Sequence, residues 1–185
     1  MRANPAVRRA RELIASGAIG RVLCARVLST TMTFGPRVEA AMAFGAVPEN
    51  DVTLATIQGA HTIDTAIAIL GEFVDASALA TMQYREIDVD GTPATRTTPD
   101  HLLVQARLAD GAPLSIEVVG GRPPDATPYR MTVTGEAREL VVEGGAARGF
   151  QSGRTLRLSL GGVPVPVDEG EAAAMPDEAA NEALV

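Results

Sequence analysis

The period of the apolar positions changes partway along the chain. Near the start Val7, Ala10, Leu13 and Ile14 recur at helical spacing, while Arg8, Arg9, Arg11 and Glu12 take the opposite face. Asn4-Pro5 supplies an N-cap and a first-turn proline, and Gly17 a stop, so a helix is predicted between them. After Gly20 the run Arg21–Thr30 is apolar and β-branched and reads as a strand. Phe34 to Asn50 is broken by Gly35-Pro36, Gly45 and Pro48 and reads as a loop with an apolar anchor. Asp51 or Thr53 can cap a second helix. In it Ala60, Ile63, Ile67 and Leu70 form the expected core stripe, and Gly71 ends it.

From Glu72 onward strand signals take over. Phe73 to Tyr84 is one candidate. His101 to Leu108 and Pro113 to Val119 flank Ala109-Asp110-Gly111-Ala112, and Asp-Gly between two β-rich runs predicts a hairpin. Tyr129–Thr134, Arg138–Val142 and Thr155–Leu160 follow, each bounded by glycine. The expected fold is α+β: an open, mainly antiparallel sheet with helices packed on one face. It is expected to occupy residues 1–165, with an acidic, Ala-rich tail over 166–185 that frays or stays disordered.

Composition narrows the partners. The net charge is −7 and all sixteen basic residues are arginine, so no excess positive field invites nucleic acid or an anionic membrane. The absence of lysine excludes a Schiff base, a lysine general acid and a P-loop lysine. The single cysteine, Cys24, reads as a small buried strand residue, and without an intrachain disulfide the chain suits a reducing compartment. No apolar run reaches the roughly 20 residues of a membrane span, and a cytoplasmic location is expected.

Candidate chemistry gathers in Gly59-Ala60-His61-Thr62-Ile63-Asp64. His61 is expected near a helix start, where the dipole favours neutral imidazole; it can shuttle a proton near neutral pH or simply hydrogen-bond to backbone. Asp64, three residues on, can orient the ring, contact a substrate hydroxyl or simply support structure. Arg122, in the Gly120-Gly121-Arg122 turn, offers a bidentate fork to a substrate or stands solvated. That turn leads into Pro123-Pro124 and is no phosphate loop. His101 reads as a surface or edge histidine. Two histidines and one cysteine at unrelated spacings make no metal ligand set.

These segments carry a resemblance. Asn4-Pro5-Ala6 with Leu13 to Gly20, then Gly59-Ala60-His61-Thr62-Ile63-Asp64 with Ile69-Leu70-Gly71-Glu72, resemble the C-terminal half of the glucose–fructose oxidoreductase / inositol dehydrogenase / MocA (Gfo/Idh/MocA) family. Pro99 to Gln105 and Thr132 to Glu136 are similar to its branch containing the fungal galactose-pathway repressor. The resemblance runs roughly from Asn4 to Leu160. It implies an open sheet whose one face closes over a substrate and which commonly forms a dimer interface. It implies NAD or NADP bound by a separate Rossmann domain, hydride transfer to or from a sugar, polyol or related carbonyl compound, and His61 beside the reacting carbon.

The chain departs from that pattern. It has no glycine fingerprint, no E-K-P motif and no lysine at all, and Ile57 stands where the family's dehydrogenases often carry an aspartate. It looks like a fragment or truncated product that holds no cofactor alone. Two functions are expected from the resemblance. One is the substrate-binding and dimerisation half of an NAD(P)-dependent oxidoreductase, inactive by itself. The other is a non-catalytic ligand-binding or regulatory protein.

Overall fold

The computed structural model describes residues 1–123, 125–146, 148–152 and 156–167. It opens with helix α1 (Pro5–Ala15), whose N-cap Asn4 accepts from the Ala6 N–H at 3.0 Å. Gly17, at φ +75°, closes the helix. Its N–H reaches Ile14 O and that of Ala18 reaches Leu13 O, each at 3.0 Å, the paired bonds of a Schellman motif. Ala6, Val7, Ala10 and Leu13 are buried, as their spacing predicts.

An eight-stranded sheet carries the core. Its strands are β1 (Val22–Thr30), β3 (Phe73–Thr81), β6 (His101–Leu108), β7 (Pro113–Val119), β8 (Tyr129–Gly135), β9 (Glu139–Gly144), β10 (Leu156–Leu160) and β11 (Val163–Val165). Their order is β11-β10-β9-β8-β1-β7-β6-β3. The first strand in sequence is thus central. β1 runs parallel to β7 and antiparallel to β8, and every other neighbouring pair is antiparallel. The fold is α+β, as expected. The Asp110-Gly111 hairpin forms between β6 and β7, with Gly111 at φ +91° and Ala112 N–H bonded to Asp110 Oδ1 at 3.0 Å.

Both helices lie on one face of the sheet. Leu102, Val104, Ala106 and Leu108 of β6 point into the core beneath them. Strand pairing places Leu79, Leu103, Glu117, Leu28, Arg130 and Glu143 in one row on the opposite, open face.

Several expectations need correction. The second helix, α2 (Ala60–Leu70), does not bury Ala60, Ile63, Ile67 and Leu70. Its buried residues are Thr62, Thr65, Ala66 and Ile69; Ala60 is exposed and the other three half-buried. A π-helical turn (Ala55–Gly59) precedes α2, with Gly59 N–H on Leu54 O at 2.8 Å. The shift within α2 comes from its threonines, which can be buried on the sheet-facing side. The two buried threonines return their hydroxyls to Gln58 O and His61 O, both at 2.7 Å, so no polar group is left unpaired.

The segment 34–50 is more structured than a loop. It holds β2 (Arg37–Val38) and 3-10 turns over Ala40–Ala46 and Pro48–Asn50. The strand expected to reach Tyr84 stops at Thr81. Beyond it, β4 (Glu86–Val89) and β5 (Thr92–Thr95) form a second Asp-Gly hairpin, with Asp90 and Gly91 at φ +48° and +87°. With β2 they make a three-stranded sheet. Cys24 is half-buried rather than buried, because alternate residues of β1 face the open side. Thr155, and the expected tail beyond Val167, lie outside the described residues.

Candidate functional site

Beyond β1 the chain crosses the end of the sheet as Thr31–Val38. It meets the 3-10 segment, the π-helical turn, Arg96, Gly121, Arg148 and Gln151 around a cavity of about 730 Å3. Such a volume accommodates a drug-sized small molecule.

Arg96 fixes the cavity wall. It is 1% exposed, and its Nη1 donates to Phe34 O at 2.7 Å and its Nη2 to Gly35 O at 2.9 Å. Nη1 also meets Asp100 Oδ2 at 3.2 Å. Asp100, equally buried, accepts the backbone N–H groups of Gln83 and Tyr84 at 2.8 Å each. Burial pulls the Arg96 pKa down, and the Asp100 carboxylate acts against that. Phe34 is held at φ +60°, and Gly35 rests directly on Gly121. Buried Gln58 joins the helical side to the sheet through Nε2 to Ser29 Oγ, 2.8 Å.

Two buried side-chain atoms among the described residues lack a hydrogen-bond partner: Arg96 Nε and Gln151 Oε1. Both residues line this cavity. The walls nearer solvent are apolar. Met32, Met42, Phe44 and Ile57 line the cavity and are 36–40% exposed. Arg148 and Glu39 pair at 2.7 Å on its rim.

The residues singled out in the sequence stand elsewhere. His61 is exposed in the first turn of α2, one turn beyond Ile57, and does not line the cavity. Asp64 accepts from Arg2 Nε at 2.8 Å; that bond holds its carboxyl below the usual carboxylate range, and nearby His61 acts in the same direction. Arg122 is exposed after β7; its N–H donates to Thr31 O at 3.0 Å, and only its neighbour Gly121 reaches the cavity. His61 and Asp64 are therefore neighbours, whereas Arg122 belongs to a different part of the surface. His101, at the start of β6, meets Glu117 Oε1 at 3.0 Å on the open sheet face. Among the described residues no three His, Cys, Asp or Glu side chains gather to hold a metal.

Sequence reasoning missed Arg96, Asp100 and Gln58. Arg96 follows a hairpin of ordinary composition, and its partners on Phe34 and Gly35 are about sixty residues away, so no local pattern marks it. The glycines at 35 and 121 are a partial signal, since a backbone crossing needs two residues without Cβ atoms.

The described residues do not fit a dinucleotide. A phosphate cradle needs a strand, a glycine loop and a helix start with free N–H groups. Here α1 begins on its own cap and a proline, and the first N–H of α2 is bonded within the π-helical turn, to Ala55 O. No described helix is long and apolar enough to cross a membrane.

Known proteins share this architecture. A dehydrogenase, aclE, from Aspergillus oryzae is 27% identical over 150 residues, 77% of this chain and 41% of its own length. A super-repressor mutant of Gal80p from Saccharomyces cerevisiae superposes with a TM-score of 0.77 at 26% identity, covering 86% of this chain and 44% of that one. Levoglucosan dehydrogenase, solved with NADH and L-sorbose, shares the fold at 20% identity and a TM-score of 0.70, over 91% of this chain and 46% of its own. The chain thus spans less than half the length of each. The model of the Gal80p C-terminal domain matches residues 5–144, most of the described fold, and the chain belongs to this Gal80p C-terminal-domain-like family.

Proposed function

We propose that this chain is the substrate-binding and dimerisation half of an NAD(P)-dependent oxidoreductase acting on a sugar, polyol or related carbonyl compound, and that it is inactive alone. The observation that carries this reading is the cavity itself. It is large enough for a small molecule and walled by the end of the sheet and the turn before α2. Levoglucosan dehydrogenase, of the same fold, is solved with NADH and a sugar. His61, exposed one turn from the cavity wall, is the proton-handling group in this proposal. Asp64, on the same helix, and Arg122, next to the cavity-lining Gly121, are the substrate contacts in this proposal. NAD or NADP would be held outside the described residues, which do not fit it.

The dimer would form through the open face of the sheet, where Leu79 and Leu103 pair across β3 and β6 at 58% and 37% exposure. The acidic balance agrees with a cytoplasmic protein that binds neither nucleic acid nor an anionic membrane.

A second reading is a non-catalytic ligand-binding or regulatory role. It is favoured by the family match, since a solved Gal80p structure is described as a transcriptional regulator. Titration of the purified chain with NADH and NADPH by calorimetry tests the first reading. No binding is expected; micromolar binding would mean a nucleotide site within this chain and would overturn the assignment to a substrate half.

A further inference from the structure

The walls of the cavity distinguish among the compounds that such a half could accept. Most of their polar side chains are occupied from within, and Arg37 is the exception. The Thr33 hydroxyl is bonded to that of Thr31 at 2.8 Å, and Gln58 Nε2 to Ser29. The Nη groups of Arg96 are taken by Phe34 O, Gly35 O and Asp100, and Arg148 pairs with Glu39. One donor, Arg96 Nε, and one acceptor, Gln151 Oε1, remain unpartnered and buried. Against these stand Met32, Met42, Phe44 and Ile57, each more than a third exposed at the wall.

A free sugar would bring several hydroxyls into this space; Arg37 could meet one or two, and the rest would face the apolar walls. A hydroxyl buried without a partner loses the hydrogen bonds it made to water, which opposes binding. An apolar body would instead cover four side chains that now face solvent.

We propose that the cavity takes a largely apolar ketone or secondary alcohol, an aryl- or alkyl-bearing compound with a single oxygen function, in preference to a free sugar or polyol. The single oxygen of either compound can be met by the guanidinium of Arg37 at the cavity wall. This rests on the reading of the cavity as the substrate site and narrows its substrate class.

The test compares 4-phenylbutan-2-one with D-glucose, each titrated against the whole chain by saturation-transfer NMR. The Phe44→Ser variant is measured alongside. Phe44 is 40% exposed, so the variant is expected to keep its circular dichroism spectrum. The ketone should bind saturably and at least about tenfold tighter than glucose, and Phe44→Ser should weaken it by about tenfold. Met42→Ser, also at a partly exposed position, gives the same readout if the first variant misfolds. Glucose binding tighter than the ketone and sensitive to Phe44→Ser would overturn the apolar assignment and leave the cavity as substrate site. Binding by neither compound, or binding indifferent to both variants, would overturn the cavity reading and this inference with it.

Discussion

Arg96 and Asp100 form an ion pair 3.2 Å apart, each side chain only 1% exposed, between the hairpin that ends at β5 and the start of β6. The pair also anchors four backbone groups: the carbonyls of Phe34 and Gly35, and the N–H groups of Gln83 and Tyr84. Removing one partner of such a pair leaves an uncompensated buried charge. Asp100→Ala is therefore expected to lower unfolding stability by about 3–5 kcal/mol. Urea denaturation checks this, and a loss below about 1 kcal/mol would show that the pair does not hold the cavity wall.

Gly121→Ala should be costly for a different reason. A Cβ there would lie 2.6 Å from the Gly35 Cα, at a φ of +69°. Gly111, at φ +91°, has nothing within 4 Å of the same built atom. Gly111→Ala should cost about 1 kcal/mol from backbone strain alone. Gly121→Ala should exceed it by about 2 kcal/mol, because two backbones must part. Equal thermal shifts for the two variants would count against the Gly35–Gly121 crossing as drawn.

Stability at high pH should report Tyr129. Its phenol is fully buried, stacked on Phe150 with ring centroids 4.3 Å apart, and burial pushes its pKa up. The folded state therefore keeps the proton after the unfolded chain has lost it near pH 10. The contribution is complete below pH 10 and falls above it, by about 1.4 kcal/mol per pH unit until the folded phenol itself ionises. The chain has no lysine, so no ammonium titration obscures the alkaline limb. Tyr129→Phe should flatten the decline in urea midpoint between pH 10 and 11; an unchanged slope would exclude this tyrosine as its source.

On the open face, Leu79→Arg should weaken self-association. Leu79 is already 58% exposed, so folding should survive the change. Sedimentation velocity across micromolar concentrations is the check. A native chain that stays monomeric throughout, or a variant that associates as before, would exclude this face as the interface.

The sequence made some of this fold legible and hid the rest for identifiable reasons. Asn4, Gly17 and Asp110-Gly111 act on neighbours within five residues, so their roles could be read locally. The Asp90-Gly91 turn carried the same signal. It lay between short strands, one of them containing Pro93, that gave weak β patterns. The α2 stripe was misplaced because Thr62 and Thr65 count as polar in a sequence pattern, yet are buried once their hydroxyls return to Gln58 O and His61 O. His61 and Asp64 fell on the expected helix, whereas the cavity is assembled by contacts such as Arg96 to Phe34 that span the chain. The parallel pairing of β1 with β7 has the same character.

That pairing also sets an order of events at the ribosome. Val22–Thr30 leaves the exit tunnel well before both of its neighbours, Pro113–Val119 and Tyr129–Gly135, are made. At about 5–20 residues per second the strand waits several seconds with both edges open. During synthesis, the middle of the finished sheet is for a time an unprotected strand, which a chaperone or a second nascent copy of the chain can reach before its own partners do.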